Sequence, residues 1–359
     1  MDLKRRDVPA VAREGITLFR KLHQNVFFQT KNFRSSERYA KVLKQMRCVQ
    51  PTNDIISNYN NICVVNENTE IPEDITILTS SNRIRGVFNE LAFKNYLENF
   101  GLPEEEISTD NLPYLQILAD VHIKGFNYDE QKTLEKTKNY FRGLDSRELR
   151  KIDGILNVFV GAPLMITVNS DILQGIANGI SCHLVKMFLK DPSKVTYKDM
   201  YGVKVPVTLA SNVKGLLMYH DEAGLQSRNF IEGLPGHFLV TNKRRYLNKK
   251  PIGKFGKFKT SIVGFENTLS FAITGHKSQG TTLKNVLIAD VGNHASGSTG
   301  WLYVVLSRVY DFKNIYLVDP LIDILKKYKN RKDIEKFNAY LEKLANGTMS
   351  RYLQLKKFM

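Results

Sequence analysis

Cysteine is scarce in this sequence: Cys48, Cys63 and Cys182 are the only three in 359 residues, and they are widely spaced. That excludes a disulfide framework and a Cys-x-x-Cys zinc site, and it favours a reducing compartment. Long apolar runs are missing too. None approaches the ~20 residues needed to span a bilayer, and the amino terminus, Met1-Asp-Leu-Lys-Arg-Arg-Asp7, has no signal-peptide core. No membrane partner is therefore expected. There is no internal repeat and no low-complexity tract. Also absent is a Gly-x-x-x-x-Gly-Lys-Ser/Thr loop for nucleotide phosphates. The Gly-Lys dipeptides Gly253-Lys254 and Gly256-Lys257 are each followed by Phe. They lack the spaced first glycine, the hydroxyl metal ligand and a preceding strand.

Positive charge, in contrast, is abundant, with a formal net charge of +16. Such a balance favours a polyanionic partner, nucleic acid first; a basic proteome or a solubility margin is the plain alternative. The 359 residues suffice for two or three small domains with a sizeable core.

Along the chain, residues 12–47 read as helical with a break near 30–34. Ser35-Ser36 is a start signal, and Tyr39, Val42, Leu43 and Met46 fall on one stripe. Ile75-Thr-Ile-Leu78 fits a buried strand. Ser80-Ser81 then leads into a helix with Ile84, Val87, Phe88 and Leu91 on one face, a βα unit of an α/β domain. Residues 101–153 are charged and irregular and read as a surface excursion with helical pieces. Residues 156–168 return to strand character around Gly161-Ala-Pro163, and Asn178-Gly179 supplies a turn. Between 180 and 260, short β-rich runs such as Lys204-Val-Pro-Val-Thr-Leu209 and His237-Phe-Leu-Val-Thr241 suggest a small inserted β-barrel. The α/β pattern resumes at 269, with strands at 269–273, 286–290 and 315–318, and a charged amphipathic helix over roughly 321–345.

Two segments carry chemistry. The first is the 274–280 loop, where Thr274, His276, Lys277, Ser278 and Gln279 present polar groups and Gly280 lets the backbone turn. Such a loop can bind phosphates, or it is a polar connection that binds nothing. The second is Arg308, a fixed cationic fork after an apolar run, suited to a transferring phosphoryl group. Its plain alternative is a structural arginine paired with Asp311. A basic stretch, Lys243-Arg-Arg245 with Lys249-Lys250, Lys254, Lys257 and Lys259, is interleaved with Tyr246, Phe255 and Phe258. Cations for phosphates and rings for stacking suit a single-strand groove; a solvated hairpin or a nuclear-import signal is the alternative. Asp221-Glu222 lies among these β-rich runs and reads as a hairpin-tip acidic pair.

Ala272-Ile-Thr-Gly-His-Lys-Ser-Gln-Gly-Thr-Thr-Leu283 resembles motif V of superfamily-one DNA helicases of the Pif/RecD branch, and Tyr303-Val-Val-Leu-Ser-Arg-Val309 resembles their motif VI. Leu156-Asn-Val-Phe-Val-Gly-Ala-Pro-Leu-Met-Ile-Thr-Val-Asn169, with Gly175-Ile-Ala-Asn-Gly179, resembles the strand and turn that lead into the family's SH3-like insert. Asn32-Phe-Arg34 resembles motif IV. The four blocks stand in family order over residues ~15–320.

The resemblance implies an α/β fold, a RecA-like second motor domain of the P-loop NTPase type with an inserted SH3-like β-barrel. Residues 1–179 would be the first part of the motor domain, with the excursion at 101–153; 180–260 the barrel; 261–320 the remainder; and 321–359 the terminal helix. Arg308 would be the arginine finger and Arg34 a second γ-phosphate contact. Gln279 and Gly280 would line the nucleotide side, while Thr274, His276, Lys277 and Ser278 face single-stranded DNA. Lys243, Arg244, Arg245, Lys249 and Lys250 would add DNA contacts. The family departs at Gly275, which should loosen the loop, and at Thr282. The implied activity is ATP- and Mg²⁺-dependent 5′-to-3′ unwinding of single-stranded or forked DNA, as in repair and recombination, in the nucleus, a mitochondrion or a viral setting. The missing phosphate loop would come from an upstream or separate ATP-binding domain, so the chain alone should be inactive. The alternative implied is a non-catalytic single-strand-binding module or a decayed mobile-element or viral remnant.

Overall fold

The structure is a computed structural model that describes residues 34–48, 52–72, 74–124, 131–144, 146–173, 176–221, 223–247, 259–290, 299–321, 339–340 and 342–350. Its elements run α1 Glu37–Cys48, α2 Asn53–Cys63, β1 Ile75–Thr79, α3 Asn82–Phe100, β2 Tyr114–Leu118, β3 Asp120–Lys124 and α4 Gln131–Arg142. There follow β4 Ile155–Phe159, β5 Pro163–Ile166, β6 Ser181–Leu189, β7 Thr196–Met200, β8 Val203–Leu209, β9 Val213–His220 and the short α5 Ala223–Gln226. The chain continues through β10 His237–Val240, β11 Lys243–Tyr246, β12 Lys259–Gly264, β13 Asn267–Leu269, β14 Ala272–Thr274, β15 Asn285–Ile288, α6 Thr299–Leu306 and β16 Ile315–Leu317. It divides into two compact units: residues 1–71, 281–286 and 291–359, and residues 72–280 and 287–290. Among the described residues no helix is long and apolar enough to cross a membrane.

In the first unit, Ser36 starts α1 as its sequence suggests: the Ser36 Oγ accepts the Tyr39 N–H at 3.2 Å, satisfying a donor that the first helical turn leaves open. Tyr39, Leu43 and Met46 form the buried stripe. The Tyr39 hydroxyl donates to the Leu306 carbonyl at 2.6 Å, and the rings of Tyr39 and Tyr59 pack on Phe312 at 4.7 and 5.0 Å. These contacts tie α1 and α2 to the end of α6. β16 forms a parallel bridge, Val64 to Leu317. Cys63 is a buried free thiol whose pKa burial pushes up to about 12, so it is inert packing rather than a reactive group. Most of the helix expected over 321–345 lies outside the described residues.

In the second unit, β1 pairs in parallel with β14, Leu78 opposite Ile273, and α3 follows β1. The βα unit is therefore present, but its buried face differs from the expected one. Val87 and Leu91 are 55% and 51% exposed, whereas the inward stripe is Arg85, Asn89, Phe93 and Leu97. The reason lies in a break at Ser270-Phe271. The expected single strand over 269–273 is two: β13 pairs antiparallel with β5, and β14 pairs with β1. The break leaves backbone groups unpaired, and Asn89 satisfies them, its Nδ2 donating to the Leu269 carbonyl at 2.8 Å and its Oδ1 accepting the Ala272 N–H at 2.9 Å.

The 101–153 segment is more than a surface excursion. It does contain a helix, α4, but β2 is buried and sits between β4 and β8 in a four-stranded sheet of order β4-β2-β8-β7. Two further sheets are β10-β9-β6-β5-β13 and β11-β12-β3. The β-rich region is thus wider than 180–260: β8 hydrogen-bonds with β2, β12 with β3 and β6 with β5, and residues of β6, β8, β9 and β10 share an apolar core with β2, β4, β5 and with Phe93 and Leu97 of α3. Gly179 turns with φ of +94° where Asn178-Gly179 suggested a turn.

Candidate functional site

In the first unit, Arg308 lies two residues after the end of α6 and is only 7% exposed. Its Nε donates to the Val304 carbonyl at 2.7 Å, Nη2 to Ser307 Oγ at 2.7 Å and Nη1 to the Thr281 carbonyl at 3.4 Å. The Leu283 N–H in turn donates to the Arg308 carbonyl at 2.8 Å. Asp311, the sequence's alternative partner, caps the Phe312 N–H at 2.7 Å. Burial holds the Arg308 guanidinium below its ordinary range, and the like charge of Arg34 lowers it further, against Tyr303. Arg34 is exposed. The like charge of Arg34 is thus felt at Arg308, an effect that a nearby anion would offset.

In the second unit, the 274–280 loop extends the β1/β14 pairing. The Gly275 N–H donates to the Thr79 carbonyl at 3.0 Å, and the Thr274 carbonyl accepts from the Lys277 and Ser278 N–H groups at 2.8 and 3.3 Å. Gly275 is accordingly pinned rather than loose. Ser278 is 0% exposed and its hydroxyl donates to the Gly275 carbonyl at 2.7 Å, so it staples the loop; Thr274 is buried as well. A tight turn consumes short hydroxyl side chains internally. His276 and Gln279 are exposed, as is Gly280, whose φ of +95° only glycine adopts readily.

Lys277 is half-buried. Its pKa falls from the ordinary 10.5 to about 8, mainly through burial, then through Arg85 and Lys151, with Asp153 opposing. Between pH 8 and 10.5 the unfolded chain holds more protons at this amine than the folded one, so stability rises with pH across that window. The destabilising charge is fully present below pH 8. Lys277→Gln should therefore be more stable than the parent near pH 7, with the gap closing towards pH 10 in urea melts. A gap independent of pH would show that burial of the charge is not its cause.

In the basic strand β11, Lys243, Arg244 and Tyr246 are exposed, Tyr246 by 74%. Arg245 is exposed as well and forms a hydrogen-bonded ion pair with buried Glu266, a carboxylate that would be costly to leave alone. Lys249 and Lys250 lie outside the described residues. Asp221 sits at the end of β9 and its Oδ1 meets His183 Nδ1 at 2.7 Å. Among the described residues there is no group of three or more His, Cys, Asp or Glu side chains able to hold a metal ion.

No family model and no curated protein matches this sequence. Solved structures do. One is of two Pif1 helicases coordinating at forked double-stranded DNA, at TM-score 0.53 and 17% identity over 88% of this chain and 55% of that one. Another is Pif1 helicase from Candida albicans, at TM-score 0.51 and 18% identity over 86% and 58%. A third is Pif1 helicase from Bacteroides in complex with ADP-AlF3 and single-stranded DNA, at TM-score 0.50 and 19% identity over 88% and 56%. The chain shares the fold of these Pif1 helicase structures over the part it matches. The chain spans a little over half the length of these Pif1 structures. Sequence reasoning missed two features of this Pif1-like fold, the Arg85–Asp153 ion pair at 3.6 Å and the charges that surround it. The one local signal was Arg147 to Lys151, a run whose Arg150 and Lys151 both take left-handed backbone, with φ of +57° and +75°.

Proposed function

We propose that the chain is the second motor domain, with its β-rich insertion, of a Pif1-type ATP-dependent DNA helicase. It would act with a phosphate-binding motor domain that this sequence does not encode. The observation that carries the proposal is Arg308 itself, buried after α6 and held by three hydrogen bonds, with the like charge of exposed Arg34 acting on it. Such a fixed guanidinium suits the charge that develops on a phosphoryl group in transfer. Arg308 is the finger and Arg34 the second contact; Gln279 and Gly280 belong to the nucleotide side, and His276 and Lys277 to the DNA side. ATP and Mg²⁺ would be held chiefly by the other motor domain, with this chain supplying cations. The β-rich region is proposed as the SH3-like insert, with Lys243, Arg244 and Tyr246 touching the strand. Unwinding in the 5′-to-3′ direction on single-stranded or forked DNA completes the reading.

The test is binding of the purified chain to oligonucleotides of unrelated sequence over a salt series. Affinity should fall linearly in log-log form, with a slope of about −0.7 per phosphate neutralised. The double variant Lys243→Glu, Arg244→Glu should weaken all sequences alike and flatten the slope by roughly 1.4. Affinity that ignores both salt and these substitutions would sink the DNA-binding part of the reading. The chain alone should turn over no ATP; DNA-stimulated turnover by it would contradict the division of labour.

A further inference from the structure

Beneath the N-terminal half of α3 the second unit contains a cavity of about 410 Å³ that none of the helicase roles uses. Its lining includes Arg83, Arg85, Arg142, Glu90, Asp153 and Asn157. A volume of this size falls in the range of ligand pockets, but the chemistry is polar and weighted towards cations.

Arg85 is the informative residue. It is 6% exposed, its Nε has no hydrogen-bond partner, and its Nη2 reaches Asp153 only at 3.6 Å. A buried guanidinium with an open donor costs free energy unless something accepts from it. The second carboxylate of the lining is committed elsewhere: Glu90 accepts from Asn157 Nδ2 at 2.7 Å and from the Tyr201 hydroxyl at 2.7 Å. Arg142 donates to neutral acceptors, its Nε to the Ala119 carbonyl at 3.0 Å and its Nη1 to Asn139 Oδ1 at 2.9 Å. Burial holds the Arg142 guanidinium below its ordinary range, against the charges of Glu135 and Asp120. Lys277 adds positive potential near Arg85, whose charge it feels. The first turn of α3 contributes the positive end of a 19-residue helix.

We propose that this cavity binds a phosphate group, with Arg83, Arg85 and Arg142 as its cationic contacts. The phosphate could be that of a nucleic-acid backbone or of a small phosphate compound; the recognition chemistry is the same. The proposal goes beyond the helicase reading, in which none of these three arginines has a part.

The experiment is calorimetric titration of the full chain with pyrophosphate. Saturable binding of one equivalent is expected. Arg83→Gln and Arg142→Gln should each weaken it by roughly tenfold or more, the effect of losing one charge-assisted hydrogen bond. Arg83 is exposed, so its variant tests the site even where an Arg85 variant fails to fold; a cooperative ligand-free melt checks that it has folded. Lys243→Glu with Arg244→Glu should leave pyrophosphate binding unchanged. An oligothymidine that displaces pyrophosphate identifies a backbone phosphate as the natural occupant; one that binds without displacing it identifies a small phosphate compound. The proposal is overturned if the parent chain shows no saturable binding, or if both arginine variants bind like the parent. Arg85 and Asp153 are then a structural pair. Pyrophosphate binding without any oligonucleotide binding would overturn the DNA reading and keep the pocket; the reverse would do the opposite.

Discussion

Arg308→Ala, in a polypeptide that joins this chain to an ATP-binding motor domain, is expected to lower kcat for DNA-stimulated ATP hydrolysis by about 10³–10⁵. KM for ATP should move far less, because a finger acts on charge that develops in transfer rather than on the bound nucleotide. The structure explains why a lysine would not substitute well. Three guanidinium nitrogens are anchored, to Val304, Ser307 and Thr281, and an ammonium cannot reproduce that fork. Arg308→Lys should therefore recover little of the lost rate. Both variants should still melt cooperatively, which separates lost chemistry from lost fold. Turnover by the alanine variant within tenfold of the parent would remove Arg308 from the mechanism.

The second large effect is on stability. A Cβ added at Gly154 would lie 2.1 Å from the Arg142 carbonyl oxygen and 2.6 Å from the Arg142 Cα. Both are backbone atoms at the end of α4, so no side-chain rotation relieves the overlap. The Gly154 carbonyl also accepts the Ala119 N–H at 3.0 Å, which fixes its position from the other side. Gly154→Ala should cost about 3 kcal/mol or more in urea unfolding, at or above the upper end of ordinary overpacking. Gly86→Ala is the control: an added Cβ there meets nothing within 4 Å, and α3 should gain about 0.5–1 kcal/mol. Equal effects of the two substitutions would show that the close approach at Gly154 yields easily.

What could be read from the sequence was what local chemistry decides. Ser36 opens α1 because its hydroxyl meets an amide three residues on, and Ile75-Thr-Ile-Leu78 is apolar enough to be a strand wherever it packs. The failures are tertiary. Asn89 is buried because a strand break 180 residues later needs its amide; no periodicity in α3 can report that. β2 hid among acidic neighbours, and its Gln116 looks like a surface residue until Nε2 is seen donating to Asn157 Oδ1 at 2.9 Å. At the candidate sites, Arg308 and the 274–280 loop were legible as motifs. The burial of Ser278 and the pairing of Arg245 with Glu266 were not, since both depend on what lies across the fold.

The pairing of β1 with β14 joins residues far apart along the chain: the Thr79 hydroxyl contacts the Ile273 carbonyl across a separation of 194 residues. Closing so long a loop from a random chain costs on the order of 5 kcal/mol in entropy. The pair is therefore expected to form after the intervening sheets have condensed and carried the two ends together. The loop bearing His276 and Lys277 hangs directly from that contact, so its ordering is expected to be a late event of folding.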